Sequence, residues 1–290
     1  MTSQTGPIVV GYDASPASRQ ALRWAAAQAV REHAPVRIVQ ILEIYVAMRP
    51  LGALVPPESF EGYVQQALEK AADGIRSDHP GLEVGTELLQ ASPAPVLIAE
   101  SEDARMLVLG TRGLGGWAGL LMGSVAVQVA AHAACPVVVV PADLRPRAQE
   151  RATIVVGVDG SKLSAQAVEF AFRQAEWTGD RVLAVHAWRS PASTYDGGLG
   201  PLMFDPVEIE ESAGVLVAES LAGVAEDHPD VEVDTRLISG QPARALLVAA
   251  EYADLLVLGS RGRGGFAGLL LGSVSQGVLH HAHCPVAIVR

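Results

Sequence analysis

Apolar and polar positions along the chain fall into short blocks that alternate between two periods. PIVVGYDAS (7–15) is an apolar run that ends in a polar turn, which predicts a strand. Leu22, Ala25, Ala26, Ala29 and Val30 then recur at helical spacing and predict one apolar helix face. VRIVQIL (36–42) predicts a second strand, followed by a loop bearing Pro and Gly (45–57) and an amphipathic helix from about Glu58 to Ser77. LEVGTELL (82–89) predicts the third strand, Pro95–Glu100 the start of a short helix, and MLVLG (106–110) the fourth strand. A helix over Ser124 to His132 and a strand over PVVVV (136–140) complete the set.

The second half repeats this order. Its strands are predicted at ATIVVGVDGS (152–161), RVLAVHAW (181–188), VEVDTRLI (231–238), LLVLG (255–259) and PVAIV (285–289). PADLRPRAQE (141–150), polar and Pro-containing, separates the halves. The expected domains are 1–143 and 151–290, with 144–150 as a linker. Strands alternating with helices predict parallel sheets, and short, almost wholly apolar strands predict helices on both faces. Each half therefore reads as a doubly wound α/β domain with five strands. Such sheets hold ligands outside the carboxyl ends of their strands, where the winding direction reverses.

The repetition is closest at the fourth strand. MLVLGTRGLGGWAGLLMGSV (106–125) and LLVLGSRGRGGFAGLLLGSV (255–274) are identical at 15 of 20 positions, at an offset of 149. Each is a strand, a glycine-rich loop and Gly-Ser opening a helix. Gly110, Gly113 and Gly123, and Gly259, Gly262 and Gly272, allow the main chain to approach a ligand without a Cβ in the way. Ser124 and Ser273 are expected to cap the following helices, whose starts offer free N–H groups and a favourable dipole to an anion. Tight turns alone would explain a single such loop; the same spacing after the same strand, twice, favours a phosphate site in each half. Arg112 and Arg261 add charge there if they reach the ligand, and are solvated side chains if they do not.

The first strand of each half ends in Asp-x-Ser-x-x-Ser: Asp13, Ser15 and Ser18, then Asp159, Ser161 and Ser164. Pro16 suits the first helical position, which makes Ser15 the cap and leaves Asp13 to face the crevice. A carboxylate there accepts hydrogen bonds from ribose hydroxyls or helps to hold Mg²⁺. Neither glycine loop contains the Gly-Lys-Ser/Thr of a P-loop, and no G-x-G-x-x-G follows the first strand, so a dinucleotide fold is not indicated.

Composition narrows the partners. The net charge of −11 opposes nucleic-acid binding, whereas a small phosphate ligand responds to local groups. No apolar run approaches a membrane span and no leader pattern opens the chain, so a cytoplasmic location is expected. Cys135 and Cys284, each before a Pro and an apolar run, are expected to be buried rather than paired. His280, His281, His283 and Cys284 make a weak metal site, because adjacent helical residues point apart. His186 reads as a satisfied core side chain, and Trp24, Trp117, Trp177 and Trp188 as packing residues.

With G-x2-G-x9-G-[ST] present twice and V-G-x-D-x-S at Val10–Ser15 and Val156–Ser161, the chain resembles the universal stress protein family in its tandem, ATP-binding form, over nearly its whole length. The resemblance implies a strand order of 3-2-1-4-5. It implies that Asp13 and Asp159 contact the ribose or metal side of ATP, and that main-chain groups near Ile41 and Ala187 read adenine. The loop glycines and Ser124 or Ser273 would hold the phosphates, with Mg²⁺ accompanying the nucleotide. It also implies pairing of the fifth strands between domains or subunits, and a homodimer. Two positions depart between the copies: Ala91 stands where the second has Gly240, and Arg105 where it has Asp254.

The leading expectation is an ATP-binding signalling module with one site per domain, used in a stress response with a protein partner that the sequence does not identify. The alternatives are a slow ATP hydrolase or nucleotide transferase using the same sites, and a scaffold whose sites stay empty. No nucleophile paired with a base supports fast turnover, so no catalytic residue is assigned.

Overall fold

The computed structural model describes residues 6–43, 57–113, 122–144, 152–188, 206–263 and 270–290. The chain divides into two compact units, Met1–Asp143 and Leu144–Arg290. The first unit runs β1 (Ile8–Tyr12), α1 (Pro16–Glu32), β2 (Val36–Leu42), α2 (Pro57–Asp78), β3 (Val84–Gln90), α3 (Pro93–Glu100), β4 (Met106–Gly110), α4 (Ser124–His132) and β5 (Val137–Val140). The second runs β6 (Thr153–Gly157), α5 (Lys162–Thr178), β7 (Arg181–Trp188), α6 (Pro206–Asp227), β8 (Val233–Ser239), α7 (Pro242–Ala249), β9 (Leu255–Gly259), α8 (Ser273–His281) and β10 (Val286–Val289).

All strand pairs within each unit are parallel, in the order β3-β2-β1-β4-β5 in the first and β8-β7-β6-β9-β10 in the second. Both units are the expected doubly wound domain. From β1 to β3 the chain winds one way, and from β3 to β5 it passes back over β1 and winds the other. Right-handed crossovers then place α1 and α2 on one face and α3 and α4 on the other. The reversal lies between β1 and β4, which pair as Ile8↔Met106 through Val10↔Val108. Ile8, Val9, Val10, Leu107 and Val108 are wholly buried there, each stabilising the sheet by roughly 1.5–3 kcal/mol.

Several boundaries and faces differ from the sequence reading. Helix α3 starts two residues earlier, at Pro93, and β5 starts after Pro136, which has no N–H for the ladder. On α1 the buried stripe includes Leu22, Ala25, Ala26 and Ala29, but Val30 is 46% exposed. At 100° per residue it falls about 40° past Ala26, beyond the edge of the buried stripe. Trp177 is 41% exposed, so packing does not account for it. Trp117, most of the 45–57 loop and most of the 144–150 linker lie outside the described residues.

Arg105 has a local reason. The Glu32 carboxylate, fully buried at the end of α1, accepts from Arg105 Nη1 at 3.1 Å and from Gln28 Nε2 at 2.7 Å. The second unit has Thr178 at the end of its equivalent helix, and there Asp254 accepts from the main-chain N–H of Thr153 at 3.1 Å. Arg105 and Asp254 thus each meet a local partner, a buried carboxylate in the first unit and, in the second, a main-chain N–H for which the first unit has Pro7. Both cysteines are free and buried, and burial pushes each thiol up to about 12.

Candidate functional site

The Asp-x-Ser-x-x-Ser segment ties each first strand to the helix after it. Ser15 caps α1, its Oγ accepting from Ser18 N–H at 3.1 Å, with Pro16 at the first helical position. Asp13 Oδ1 accepts from Ser15 N–H at 3.0 Å, and Ser18 Oγ accepts from Asp13 N–H at 3.4 Å. The second unit repeats these bonds. Ser161 caps α5 at 3.1 Å, Asp159 Oδ1 accepts from Ser161 N–H at 2.9 Å, and Ser164 Oγ accepts from Asp159 N–H at 3.0 Å. The turn needs a left-handed residue after each Asp. Gly160 supplies it at φ 73°, whereas Ala14 holds φ 63° against a Cβ penalty of about 1–2 kcal/mol.

The glycine loop closes onto this turn. A Cβ at Gly113 would fall on Asp13 Oδ2, and one at Gly262 on Asp159 Oδ2, so glycine is what lets loop and carboxylate meet. Asp159 Oδ2 also accepts from Arg263 N–H at 2.9 Å, and Ser15 Oγ donates to the Arg112 carbonyl at 3.1 Å. The motifs at the ends of the first and fourth strands thus meet in each unit. Gly110 and Gly259 have a packing role as well. A Cβ at Gly110 would come within 2.7 Å of the Ala17 main chain, and one at Gly259 within 2.9 Å of that of Leu163.

The expectation that Ser124 and Ser273 cap their helices is corrected. The caps are Gly123 and Gly272, and each Ser is the first helical residue. Neither glycine has a side chain to satisfy the first-turn amides, which leaves the helix start to a ligand or water. The N–H groups of Gly123 and Gly272 are themselves taken, bonding the carbonyls of Thr111 and Ser260 at 2.8 Å. Those glycines close the loop and are not donors to an anion.

In the second unit these groups surround a cleft of about 290 Å³. Its lining includes Asp159, Ala187, Gly259, Arg261, Gly262, Gly272 and Ser273. Seven sequence-selected residues of that half therefore share one cavity. Apolar walls come from Val158, Val185, Leu246 and Leu258. In the first unit Ile41 occupies the position of Ala187, one residue before the end of β2 and paired with Leu89. Arg112 and Arg261 are exposed at the loop.

The sequence reading missed Arg263, Ser275 and Arg290. Arg263 lines the cleft and its guanidinium lies against Gly160. Ser275 Oγ donates to the Gly259 carbonyl at 2.8 Å. Arg263 had a sequence signal, since RGRGG replaces the RGLGG of the first copy. Arg290 had none, because only sheet pairing brings it near the loop. His186 is half-buried, with Nδ1 2.6 Å from the Val158 carbonyl. The rings of His280 and His281 sit 6.5 Å apart at 52° to each other, and among the described residues no group of three metal-ligating side chains gathers. Nor is any described helix long and apolar enough to cross a membrane.

Comparison with known proteins agrees with this architecture. The model of the universal stress protein family matches residues 5–141 and again 150–290. A universal stress protein of Mycolicibacterium smegmatis is 38% identical over 289 residues, covering 98% of this chain and 96% of its own. One from Mycobacterium tuberculosis (strain ATCC 25618 / H37Rv) is 37% identical over 293 residues, with the same coverages. Among solved structures, a universal stress protein from Archaeoglobus fulgidus aligns with a TM-score of 0.67 at 20% identity, covering 99% of this chain and 97% of its own.

Proposed function

The chain belongs to the universal stress protein family, and from that premise we propose that it is a nucleotide-binding module with one ATP site in each domain, 1–143 and 151–290. The observation that carries this reading is the meeting of glycine loop and carboxylate. In each unit the loop folds against the Asp in the turn after the first strand, beside a helix start whose cap offers no side-chain acceptor. That pairs a main-chain cradle for phosphates with an acceptor for ribose hydroxyls. The apolar walls of the second cleft suit a base, and Ala187 lies at their edge.

Mg²⁺ fits the donor set. A carboxylate offers about four lone-pair directions, and Asp159 uses two on Ser161 and Arg263. Mg²⁺ keeps most of its waters and takes one or two carboxylates plus phosphate oxygens, so one such side chain per site is enough. Asp13 and Asp159 are the residues that would hold it. On this reading the protein acts as a homodimer in the cytoplasm, and nucleotide occupancy biases its contacts with a partner.

Two measurements test the proposal. Small molecules released from purified, denatured protein are identified by mass spectrometry, and ATP is titrated calorimetrically into the full chain. Released adenine nucleotide, or up to two ATP bound per chain, is expected. The absence of both release and binding at millimolar ATP would refute it. Single-turnover product formation on bound ATP is expected to stay far below the 1–10³ per second of ordinary enzymes.

A further inference from the structure

The two sites differ in cationic charge. At the loop the first unit has Arg112, Leu114 (outside the described residues) and, after β5, Pro141; the second has Arg261, Arg263 and Arg290 at the same offset of 149. Arg261 and Arg263 line the second cleft. Arg290 follows β10 directly, in the strand next to the one that launches the loop. Val289 pairs with Gly259, and its carbonyl accepts from Ser260 N–H at 2.8 Å. Arg290 Nη2 donates to the Leu270 carbonyl at 3.1 Å, pinning the far end of the loop, while Arg290 Nε is buried without a hydrogen-bond partner. Desolvation, and then the charge of Arg261, press the Arg290 guanidinium below its usual range. Among the described residues no carboxylate pairs with Arg261 or Arg290, so an incoming anion would relieve their repulsion.

Arg263 has a place made for it. A Cβ at Gly160 would fall on its Nη2, and the first unit has Ala14 at that turn position. The absence of a side chain at 160 and the presence of an arginine at 263 go together. Its main-chain N–H also holds Asp159, so the side chain is anchored beside the carboxylate that the nucleotide would meet.

Resting on the ATP-site reading above, we propose that the two sites count phosphates differently. The second site uses Arg261 and Arg263, backed by Arg290, to select nucleoside triphosphates over monophosphates. The first, with Arg112 alone among these positions, discriminates less. Arginine forks bind phosphate oxygens with charge-assisted, often bidentate hydrogen bonds, so each added phosphate gains most where more forks converge.

The test is calorimetric titration of the full chain with AMP, ADP and ATP, in wild type and in the double variant Arg263→Leu/Arg290→Gln. Wild type is expected to show two classes of site that are separated tenfold or more for ATP and close together for AMP. The variant should lose the tight ATP class, merging it with the weaker one, while AMP affinity at the second site falls at least fivefold less than ATP affinity does. A cooperative urea-unfolding transition like that of wild type shows that the variant is folded. Equal ATP affinities at the two wild-type sites would overturn the inference while leaving nucleotide binding intact. So would a variant whose ATP and AMP affinities fall together. No binding of any nucleotide by wild type would sink this inference and the ATP-site reading alike.

Discussion

Gly262→Ala probes the joint on which the site depends. The new methyl would land on Asp159 Oδ2, so the carboxylate must swing away or the loop must lift. Asp159 is not free to move without loss. Its Oδ1 accepts from Ser161 N–H and its Oδ2 from Arg263 N–H, both at 2.9 Å. A hydrogen bond to a charged group contributes about 1.5–3 kcal/mol, so breaking one costs that much. If nucleotide binding requires the closed arrangement, this becomes a loss of about 10- to 150-fold in ATP affinity at the second site. Calorimetric titration of the full chain reads that loss, with the first site as internal control. Urea unfolding reads the cause. In an Asp159→Ala background the methyl has nothing to strike, and the stability penalty of Gly262→Ala should largely vanish. Wild-type ATP affinity in Gly262→Ala would refute the placement of this loop in a phosphate site. A stability penalty unchanged by Asp159→Ala would refute the clash. Gly113→Ala meets Asp13 Oδ2 in the same way and should act on the first site.

Two predictions concern stability. Arg105→Met leaves the buried Glu32 carboxylate without its cation and should cost about 3 kcal/mol in urea unfolding. Glu32→Thr added to Arg105→Met removes the buried carboxylate and should recover most of this, and a fully stable Arg105→Met would disprove the coupling. Cys135 and Cys284 should resist iodoacetamide at pH 8 until the chain unfolds, and rapid labelling of native protein would count against their burial. Their folded pKa values are raised from 9.0 to about 12, so the thiols keep their contribution to stability below about pH 9 and lose it as pH rises from there towards 12.

The units, their strands and much of the crevice were legible in the sequence, each for a local reason. Apolar runs bounded by Gly, Pro and Asp predicted the strands, and β2, β4, β7 and β9 fall on the expected residues. Pro16 after Ser15 identified the cap of α1, because both preferences act within one turn of chain. The doubled glycine spacing marked the loop that meets Asp13 and Asp159. What the sequence left undetermined depends on residues brought together by the sheet. Ser124 and Ser273 have cap chemistry, but loop closure through Thr111 and Ser260 puts the glycine before each of them in the cap position. Val30 is apolar, and only the direction from which β1 and β4 pack on α1 leaves it outside. Arg105 reads as a departure until Glu32 is found against it, 73 residues away. Arg290 comes against the loop of the second unit because β10 lies beside β9. Periods and caps are short-range preferences that a chain carries along its length. The charge gathered at a crevice is a sum over strand ends, and it exists only once parallel pairing has set them side by side.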